Sequence, residues 1–268
     1  MIIIAEIGWN HMGDMGLAKE MIDSAVESGA DICKFQTWSE KKLGKGSWDN
    51  DDRREIYKKA ELTKEKHYIL KDYCKSKKTK FLSSVFDDDG IDIMHEINPE
   101  LVKIASQEVA NLDLINKCLA KFDKVILSTG ASKWDEVLKL KSLNNSNKFI
   151  IMHCVSSYPC NPGNVNMPKL QKLKEHFKHV GYSGHFAGID DALMALSQGA
   201  EVIEKHFTTN KDLPGRDNKF ALAPNELKRL CDFRDNLLKM QQDKGLDFQK
   251  CEEDVVLNYR GRWTSNER

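Results

Sequence analysis

The chain has 268 residues, of which 40% are hydrophobic, and its 41 basic and 41 acidic side chains balance to a formal net charge of zero. This size and composition predict an ordinary globular protein with a well-buried core. Without a concentrated positive field there is no reason to expect nucleic acid or a membrane surface as a partner, so a small-molecule substrate is favoured.

The sequence lacks the features of an exported or membrane protein. No stretch approaches the ~18 uninterrupted apolar residues of a membrane span, and the opening residues do not resemble a secretory signal peptide. We therefore expect a cytoplasmic location. The seven cysteines are odd in number, scattered and free of CxxC spacing, so reduced thiols are predicted rather than disulfides or a zinc site.

Short apolar runs rich in Val, Ile and Phe alternate with longer amphipathic segments from the first residues to about residue 240. This alternation is typical of βα units around a parallel sheet, because parallel strands are buried on both faces. Eight strands are predicted, at residues 2–7, 32–36, 80–84, 101–105, 124–129, 149–154, 179–183 and 201–207.

A helical pattern follows each predicted strand, with apolar residues recurring three and four positions apart. Eight βα units in about 240 residues predict an α/β fold, a single-domain (β/α)8 TIM barrel over residues 1–240. A doubly wound open sheet is the main alternative, but it normally has fewer strands and a glycine-rich first turn. Two segments depart from the repeat: the tryptophan-containing loop 39–60 and the charged tail 241–268, expected to form a small cap or a dimer contact.

Polar side chains stand at the carboxyl ends of the predicted strands, where barrel enzymes build their active sites. Lys34 and Lys103 lie within apolar strands and are accompanied by strand-end serines. Ammonium groups and hydroxyls together bind phosphate and carboxylate oxygens, so this pattern predicts an anion pocket. The alternative for either lysine is a structural ion pair with a barrel carboxylate such as Glu6 or Glu204.

His185 and His206 end the neighbouring seventh and eighth strands. Two imidazoles so placed can share one cation, and a site with only two protein ligands is open and suits Mn2+ or Mg2+ better than structural zinc. Hydrogen-bonded structural roles are expected for five other histidines, namely His11, His67, His95, His176 and His179.

Two carboxylates and one loop complete the candidate residues. Glu6 and Glu108 follow strands among cations, so we expect them to stay ionised and to bind substrate, orient water or move protons, unless they only balance the lysines. The segment KDLPGRDNKFAL after the eighth strand carries Arg216, Asp217 and Lys219 on a Pro-Gly turn. A surface loop would look similar, so the residues alone leave its role open.

Eight motifs resemble, in order and at matching spacing, the catalytic domain of the N-acetylneuraminate (sialic acid) synthase family. They are AEIGWNHMGD, DICKFQT, KIASQEVAN, ILSTGAS, HCVSSYP, GYSGH, EVIEKHFT and LPGRDNKFAL. The resemblance extends to about residue 235 and is specific, because eight separate strand-end motifs agree. It implies condensation of phosphoenolpyruvate with an N-acylmannosamine-like aldose, giving a nine-carbon 2-keto-3-deoxy acid and phosphate.

The resemblance also implies roles for single residues. Phosphoenolpyruvate would be bound by Lys34, Ser84, Lys103, Ser106, Ser128, Ser156 and Ser183. A divalent metal, with Mn2+ expected and Mg2+ or Co2+ as alternatives, would be held by His185 and His206. The sugar would be held by Gln36, Glu108, Tyr158 and Asp217. Glu6 matches a carboxylate near metal-bound water, and Glu6 or Glu108 would transfer protons.

The sequence departs from the family pattern at several positions. Ser84 and Ser156 stand where Thr and Asn are common, Gly184 replaces the Asp of GYSDH, and Arg216 replaces a Pro in PGPD. These changes are expected to alter the sugar pocket. The antifreeze-like domain, which in the family supplies an arginine to the partner subunit's sugar site, is absent from the sequence. Arg216 is a candidate replacement, and a separate antifreeze-like protein is the other; a homodimer is expected, with the tail as a contact.

Two other functions stay open at this point. One is a related condensation with a phosphorylated sugar, as in the 3-deoxy-octulosonate phosphate synthases, where Arg216 and Lys219 would provide the additional basic pocket. The other is a non-catalytic sugar-binding protein. The presence of both histidines, both lysines and Glu108 argues against the second.

Overall fold

The computed structural model describes residues 1–143 and 147–263. Eight parallel strands close into a barrel in which each strand pairs with the next along the chain and the last pairs with the first. The strands are β1 (Ile2–Glu6), β2 (Ile32–Thr37), β3 (Lys80–Val85), β4 (Leu101–Ile104), β5 (Lys124–Ser128), β6 (Phe149–Cys154), β7 (Val180–Gly184) and β8 (Val202–His206). Each strand end lies within one residue of its predicted position, and the predicted (β/α)8 barrel is confirmed.

Helices separate the strands along the chain. They are α1 (Met15–Glu27), α2 (Arg53–Ala60), α3 (Lys64–Ser76), α4 (Asp88–Ile97), α5 (Leu112–Lys121), α6 (Trp134–Lys139), α7 (Pro168–His176), α8 (Asp190–Ser197), α9 (Pro224–Met240) and α10 (Glu253–Asn258). Local sequence sets their ends: α1 begins after Asp14, whose carboxylate accepts hydrogen bonds from two backbone N–H groups of the first turn. The chain leaves α1 through Gly29 at φ +93°, a conformation that favours glycine.

The barrel interior has an apolar floor and a polar upper layer. Alternate strand residues face inward, and near the amino ends of the strands they form a packed cluster of Ile4, Ile32, Leu82, Ile126, Ile150, Met152 and Val202. Two positions further along the same strands stand Glu6, Lys34, Ser84, Ser128, Cys154 and Glu204. The period of two therefore carries polar groups into the carboxyl end of the barrel, above a closed floor.

The loop 39–60 folds into two short 3-10 helices, Glu40–Lys42 and Ser47–Asp49, followed by α2. Arg54 of α2 fastens it: its guanidinium donates to the carbonyls of Leu43 and Gly44 at 3.0 and 2.8 Å and contacts Glu40 at 2.5 Å. Further 3-10 helices follow at Ser106–Glu108, Leu140–Leu143, Pro162–Asn164, Asp217–Lys219 and Lys250–Glu252.

The chain forms two compact units, Met1–Arg234 and Asp235–Arg268. The first contains the whole barrel. The described part of the second contains the end of α9 and α10, and it exposes Leu246, Phe248, Leu257 and Trp263. Across residues 1–143 and 147–263, none of the helices combines the length and apolar character needed to cross a bilayer.

Candidate active site

A central pocket of about 310 Å³ opens at the carboxyl ends of the strands. This is the end of a barrel at which active sites are found. All eight strands contribute side chains to it, namely Glu6, Lys34, Gln36, Ser84, Lys103, Ser128, Cys154, Ser183, Glu204 and His206. Ten polar or ionisable groups from eight separate strands thus converge on one space.

Lys34 is both a lining residue and a member of a buried ion pair. Its Nζ lies 2.7 Å from Glu6 Oε2 and 3.6 Å from Glu204 Oε1. Burial acts to lower the pKa of Lys34, but the carboxylates of Glu204 and Glu6 outweigh it and raise that pKa. The structural ion pair considered from the sequence is therefore present, and it keeps the ammonium charged within the pocket.

The charge of Lys103 is neutralised less fully by neighbouring carboxylates than that of Lys34. Its Nζ donates to Ser128 Oγ at 2.7 Å and to the Ile104 carbonyl at 3.1 Å, while Glu204 Oε1 is 4.0 Å away. Burial lowers the pKa of Lys103. An anion placed beside this ammonium would supply the missing partner, which is the arrangement that phosphate or carboxylate binding needs.

Ser106 and Ser128 line this pocket, whereas Gly130 and Ser156, which do not line it, lie next to Ser106. The backbone N–H of Gly130 donates to Ser106 Oγ at 2.9 Å. A Cβ at position 130 would lie 2.2 Å from Ser156 Oγ and 2.9 Å from Ser106 Oγ, so a side chain there would displace both hydroxyls. Gly130 therefore belongs to the candidate anion site, although the sequence did not single it out.

The two strand-end histidines face each other with ring centroids 5.4 Å apart. His185 Nδ1 donates to the Val155 carbonyl at 2.7 Å, which leaves Nε2 as its free nitrogen. His206 Nδ1 is buried, has no hydrogen-bond partner among the residues that the structure describes, and lies 3.4 Å from Asp217 Oδ2. Burial lowers the pKa of His206 well below its usual range, so this imidazole is neutral.

This donor set fits a cation that takes few protein ligands. Neutral imidazole is the ligating form, and His206 is in that form. Burial acts to lower the pKa of His185, but the neighbouring Cys154 and the Val155 carbonyl outweigh it and raise that pKa, so a cation would have to displace a proton from this ring. Within the described residues, no cluster of three or more His, Cys, Asp or Glu side chains forms a complete metal-binding group. Water or substrate would have to fill the remaining positions, as in the open site expected from the sequence.

The residues assigned to the sugar surround this pair on one side. Gln36 Nε2 donates to Glu6 Oε1 at 2.5 Å, and the Tyr158 ring centroid lies 4.1 Å from that of His185. Burial, with the neighbouring charge of Glu6, raises the pKa of Asp217 to about 7. All three residues therefore line the central pocket, with Tyr158 beside His185 and Asp217 beside His206.

Two arginines line the mouth of the pocket. Arg216 approaches Asp51 Oδ2 at 3.7 Å, and Arg53 on α2 donates to both oxygens of the same carboxylate at 2.8 Å. Arg216 thus lines the central pocket, and its role as a substrate-facing cation stays a prediction. Arg53 was missed from the sequence because its position depends on how the loop 39–60 folds back over the barrel.

Two expectations need correction. Glu108 does not line the central pocket; it accepts a hydrogen bond from Asn111 at 2.9 Å and lines a neighbouring cavity, because the 3-10 turn after β4 carries it outward. Gly184 does not alter the central pocket, because it alternates with the pocket residue Ser183 and a Cβ there would meet Asp191 instead.

Several further lining residues were not predicted. They are Trp9, Tyr57, Phe86, Gln107 and Cys154. Cys154 could have been found by counting alternate positions along β6 from Met152. The others come from loops and α2, so their position depends on tertiary packing rather than on a local pattern.

The sequence also resembles known proteins. The NeuB family model matches residues 21–245. N,N'-diacetyllegionaminic acid synthase of Campylobacter jejuni is 38% identical over 247 residues, covering 86% of this chain and 74% of the relative. The Legionella pneumophila synthase of the same name is 37% identical over 247 residues, covering 85% and 69%.

A solved structure gives the same result. The N-acetylneuraminic acid (sialic acid) synthetase of Leptospira borgpetersenii, determined in complex with citrate, superposes with a TM-score of 0.85 at 34% identity, covering 99% of this chain and 93% of that one. The family match spans well over half of the sequence, and the relatives match throughout the barrel. The chain therefore belongs to the NeuB family and is an enzyme related to the legionaminic and sialic acid synthases.

Proposed function

We propose that the chain joins phosphoenolpyruvate to an acylamino aldose, forming a nine-carbon 2-keto-3-deoxy acid and releasing phosphate. The observation that carries this proposal is the pairing of an anion site with a histidine pair in one pocket: Lys34 and Lys103 on one side, His185 and His206 on the other. Phosphoenolpyruvate needs the cations, and the carbonyl of the acceptor needs an electrophilic partner.

The relatives support an acceptor with two acylamino groups. The two legionaminic acid synthases are named for an N,N'-diacetyl product. The product of such a condensation keeps the substituents of its six-carbon acceptor, so the acceptor would carry both acetamido groups. The homodimer and the separately supplied antifreeze-like domain stay predictions.

We assign the anion of phosphoenolpyruvate to the Lys103 side of the pocket. Lys103 and Ser128, 2.7 Å apart, and the Gly130–Ser106 pair would donate to its phosphate or carboxylate oxygens. Such donors are fixed before the substrate arrives, so little reorganisation is needed on binding. Lys34, already held by Glu6 and Glu204, would supply the second positive charge.

The reaction forms one carbon-carbon bond and breaks one carbon-oxygen bond. The methylene carbon of phosphoenolpyruvate attacks the acceptor aldehyde, whose oxygen takes a proton. Water then adds to C2 and loses one proton. Phosphate leaves with the C2–O electrons as the new C2 hydroxyl loses the second proton, which gives the C2 ketone. We assign the proton transfers to Glu6, because burial raises the pKa of this carboxyl and it lies beside Lys34 and Gln36. Glu108, which lines the neighbouring cavity, is assigned to the acceptor.

His185 and His206 would hold a divalent metal, with Mn2+ expected. When bound there, such an ion polarises the acceptor carbonyl as a Lewis acid. The chain's own contribution is orientation: the Val155 carbonyl fixes the His185 ring, and the Asp217 carboxylate stands 3.4 Å from His206 Nδ1.

The test is phosphate release from phosphoenolpyruvate with Mn2+ present and candidate acceptors added singly. Acceptor-dependent release is expected in the wild type. Lys103→Met removes the charge but keeps the length of the side chain, so it should lower kcat/KM for phosphoenolpyruvate by roughly 10³-fold, since a charge-assisted contact is lost twice, to the phosphate and to Ser128.

A surface variant such as Lys178→Met serves as the control and should keep full activity. Two outcomes would contradict the proposal. One is binding of phosphoenolpyruvate without turnover for any acceptor, which indicates a sugar- or metabolite-binding protein. The other is a Lys103→Met variant with wild-type kinetics.

A further inference from the structure

A second cavity, here called the side cavity, lies next to the central pocket and has a volume of about 660 Å³. Trp38, Leu43, Tyr57 and Phe86 form its apolar wall, and Glu108 lines it from the 3-10 turn after β4. This volume is in the range of roughly 300–1,000 Å³ that small-molecule sites occupy. Among the residues given a role above, Glu108 lines it.

The side cavity and the central pocket share a boundary. Tyr57, Phe86 and Gln107 line both. These three residues form the boundary between the two spaces, and a ligand whose reacting carbon lies beside His185 and His206 would have to pass them to reach the side cavity. The part of an aldose that would reach it is the end remote from the aldehyde.

The charge of the side cavity differs from that of the central pocket. Five carboxylates and one ammonium, that of Lys42, line the side cavity. Lys42 is itself occupied, because it contacts Asp87 at 3.1 Å and also Asp89. Lys117 in turn pairs with Asp88 and Asp113 at 2.8 and 2.7 Å. The central pocket instead has two lysines and two arginines together with three carboxylates, those of Glu6, Glu204 and Asp217. In the side cavity, five carboxylates against the ammonium groups of Lys42 and Lys117 still leave an acidic lining, which disfavours a phosphate group relative to the central pocket.

The wall of the side cavity has the chemistry of a site for an acylamino group. Trp38 stacks edge-on against Tyr57 and Phe86, with ring centroids at 5.3 and 6.4 Å, and its indole N–H is already donated to the Tyr57 carbonyl. The rings thus offer apolar surface to a methyl group. Glu108 and Asn111 stand among the other lining residues, where they can pair with an amide N–H and C=O.

We propose that the side cavity is the specificity site for the acceptor's substituents remote from the aldehyde, and that it selects a neutral aldose with a second acylamino group over a phosphorylated one. This inference rests on the proposed function. In this proposal Trp38, Phe86 and Glu108 recognise the substituent, and the acidic lining excludes a phosphate group.

The chain offers a variant that fills the side cavity without straining the backbone. Gly44 lines the cavity, a Cβ there meets no atom within 4 Å, and its φ is not in the left-handed region. Gly44→Trp should therefore insert a large side chain into the cavity. Gly163 has equally open surroundings, so Gly163→Trp is the matched control.

The experiment measures kcat/KM for three acceptors: a 2,4-diacetamido aldohexose, the 2-acetamido aldohexose and the 6-phosphate of the latter. In the wild type, the diacetamido sugar should be preferred at least tenfold over the 2-acetamido sugar, about 1.4 kcal/mol, and by more over the 6-phosphate. Gly44→Trp should remove at least tenfold of the diacetamido preference and leave the KM for phosphoenolpyruvate unchanged. Gly163→Trp should leave all values unchanged.

The outcomes separate this inference from the proposed function. Absence of acceptor-dependent phosphate release in the wild type would refute the proposed function itself. Turnover with no preference for the diacetamido sugar, efficient use of the 6-phosphate, or a Gly44→Trp variant with the selectivity of the wild type would each refute the side cavity as the specificity site while leaving the condensation intact.

Discussion

Asp191 occupies the space that a side chain at Gly184 would need: its Oδ2 lies 2.2 Å from the position of a Cβ on that glycine. The carboxylate is buried and accepts hydrogen bonds from Lys205 Nζ at 2.8 and 3.0 Å and from the Tyr182 hydroxyl at 2.9 Å. Lys205 Nζ also donates to the Phe186 carbonyl at 2.8 Å, next to His185. This charged network thus contacts the loop after β7, which carries His185.

The first prediction concerns this pair. Gly184→Asp should destabilise the fold by about 3–5 kcal/mol, because it adds a second carboxylate where one already neutralises Lys205. Asp191→Gly should cost a similar amount, since it leaves the Lys205 ammonium buried and unpaired. The double variant restores one carboxylate beside Lys205, so urea unfolding should recover a large part of the loss. Additive losses in the double variant would show that the two positions do not exchange roles.

The second prediction concerns Gly130. In Gly130→Ala, the new methyl group would lie 2.2 Å from Ser156 Oγ and 2.9 Å from Ser106 Oγ, so both hydroxyls must rotate away. The fold should survive, because hydroxyl rotation is cheap, but the KM for phosphoenolpyruvate should rise about 10- to 100-fold as two hydrogen bonds are lost. Gly163→Ala, in open surroundings, is the control. An unchanged KM would remove these serines from the anion site.

Much of the fold could be predicted because its signals are local. The strands are runs of Val, Ile and Phe, and both faces of each strand are buried. Because side chains alternate along a strand, Lys34 faces the barrel interior like Ile32, two positions earlier. The positions of Lys34, Lys103 and the two histidines follow from the same counting. The residues at the carboxyl ends of the strands could therefore be predicted without tertiary information.

The rest could not be predicted because it depends on contacts between distant segments. The side cavity exists because Tyr57 of α2 and Phe86 after β3 meet Trp38 after β2, which no local pattern specifies. Glu108 leaves the central pocket through a 3-10 turn that breaks the alternation of the strand before it. Gly184 was misinterpreted for a different reason. Side chains alternate along β7, so the residue after the inward-facing Ser183 faces out of the barrel, and this could have been read from the sequence.

The third prediction concerns Arg216. Its side chain is about half exposed at the mouth of the central pocket, where it approaches Asp51. Arg216→Ala should raise the KM for the acceptor about 3- to 10-fold, as expected for one partly exposed charge-assisted contact, and change that for phosphoenolpyruvate far less. Arg53→Ala removes the other arginine that contacts Asp51, and its acceptor KM provides the comparison. Unchanged acceptor kinetics in Arg216→Ala would refute a role for this residue in acceptor binding.

The last prediction concerns acid stability. His153 and His11 are fully buried, and burial lowers the pKa of each to about 4. The unfolded chain takes up these protons near pH 6.5, so between pH 6.5 and 4 it binds more protons than the folded protein. The stability from the two neutral imidazoles is therefore complete above pH 6.5 and is lost as the pH falls towards 4, by about 1.4 kcal/mol per pH unit for each histidine.

Urea unfolding at several pH values tests this with one variant and one control. His153 Nε2 donates to the Val165 carbonyl at 2.8 Å, and a glutamine amide can take over that donation. Relative to the surface variant His95→Gln, which serves as the reference, His153→Gln should lower the slope of unfolding free energy against pH by about 1.4 kcal/mol per unit across this window. Other acidic groups are the same in both variants, so the difference between the two slopes isolates the contribution of His153. Equal slopes would mean that His153 is already protonated in the folded state.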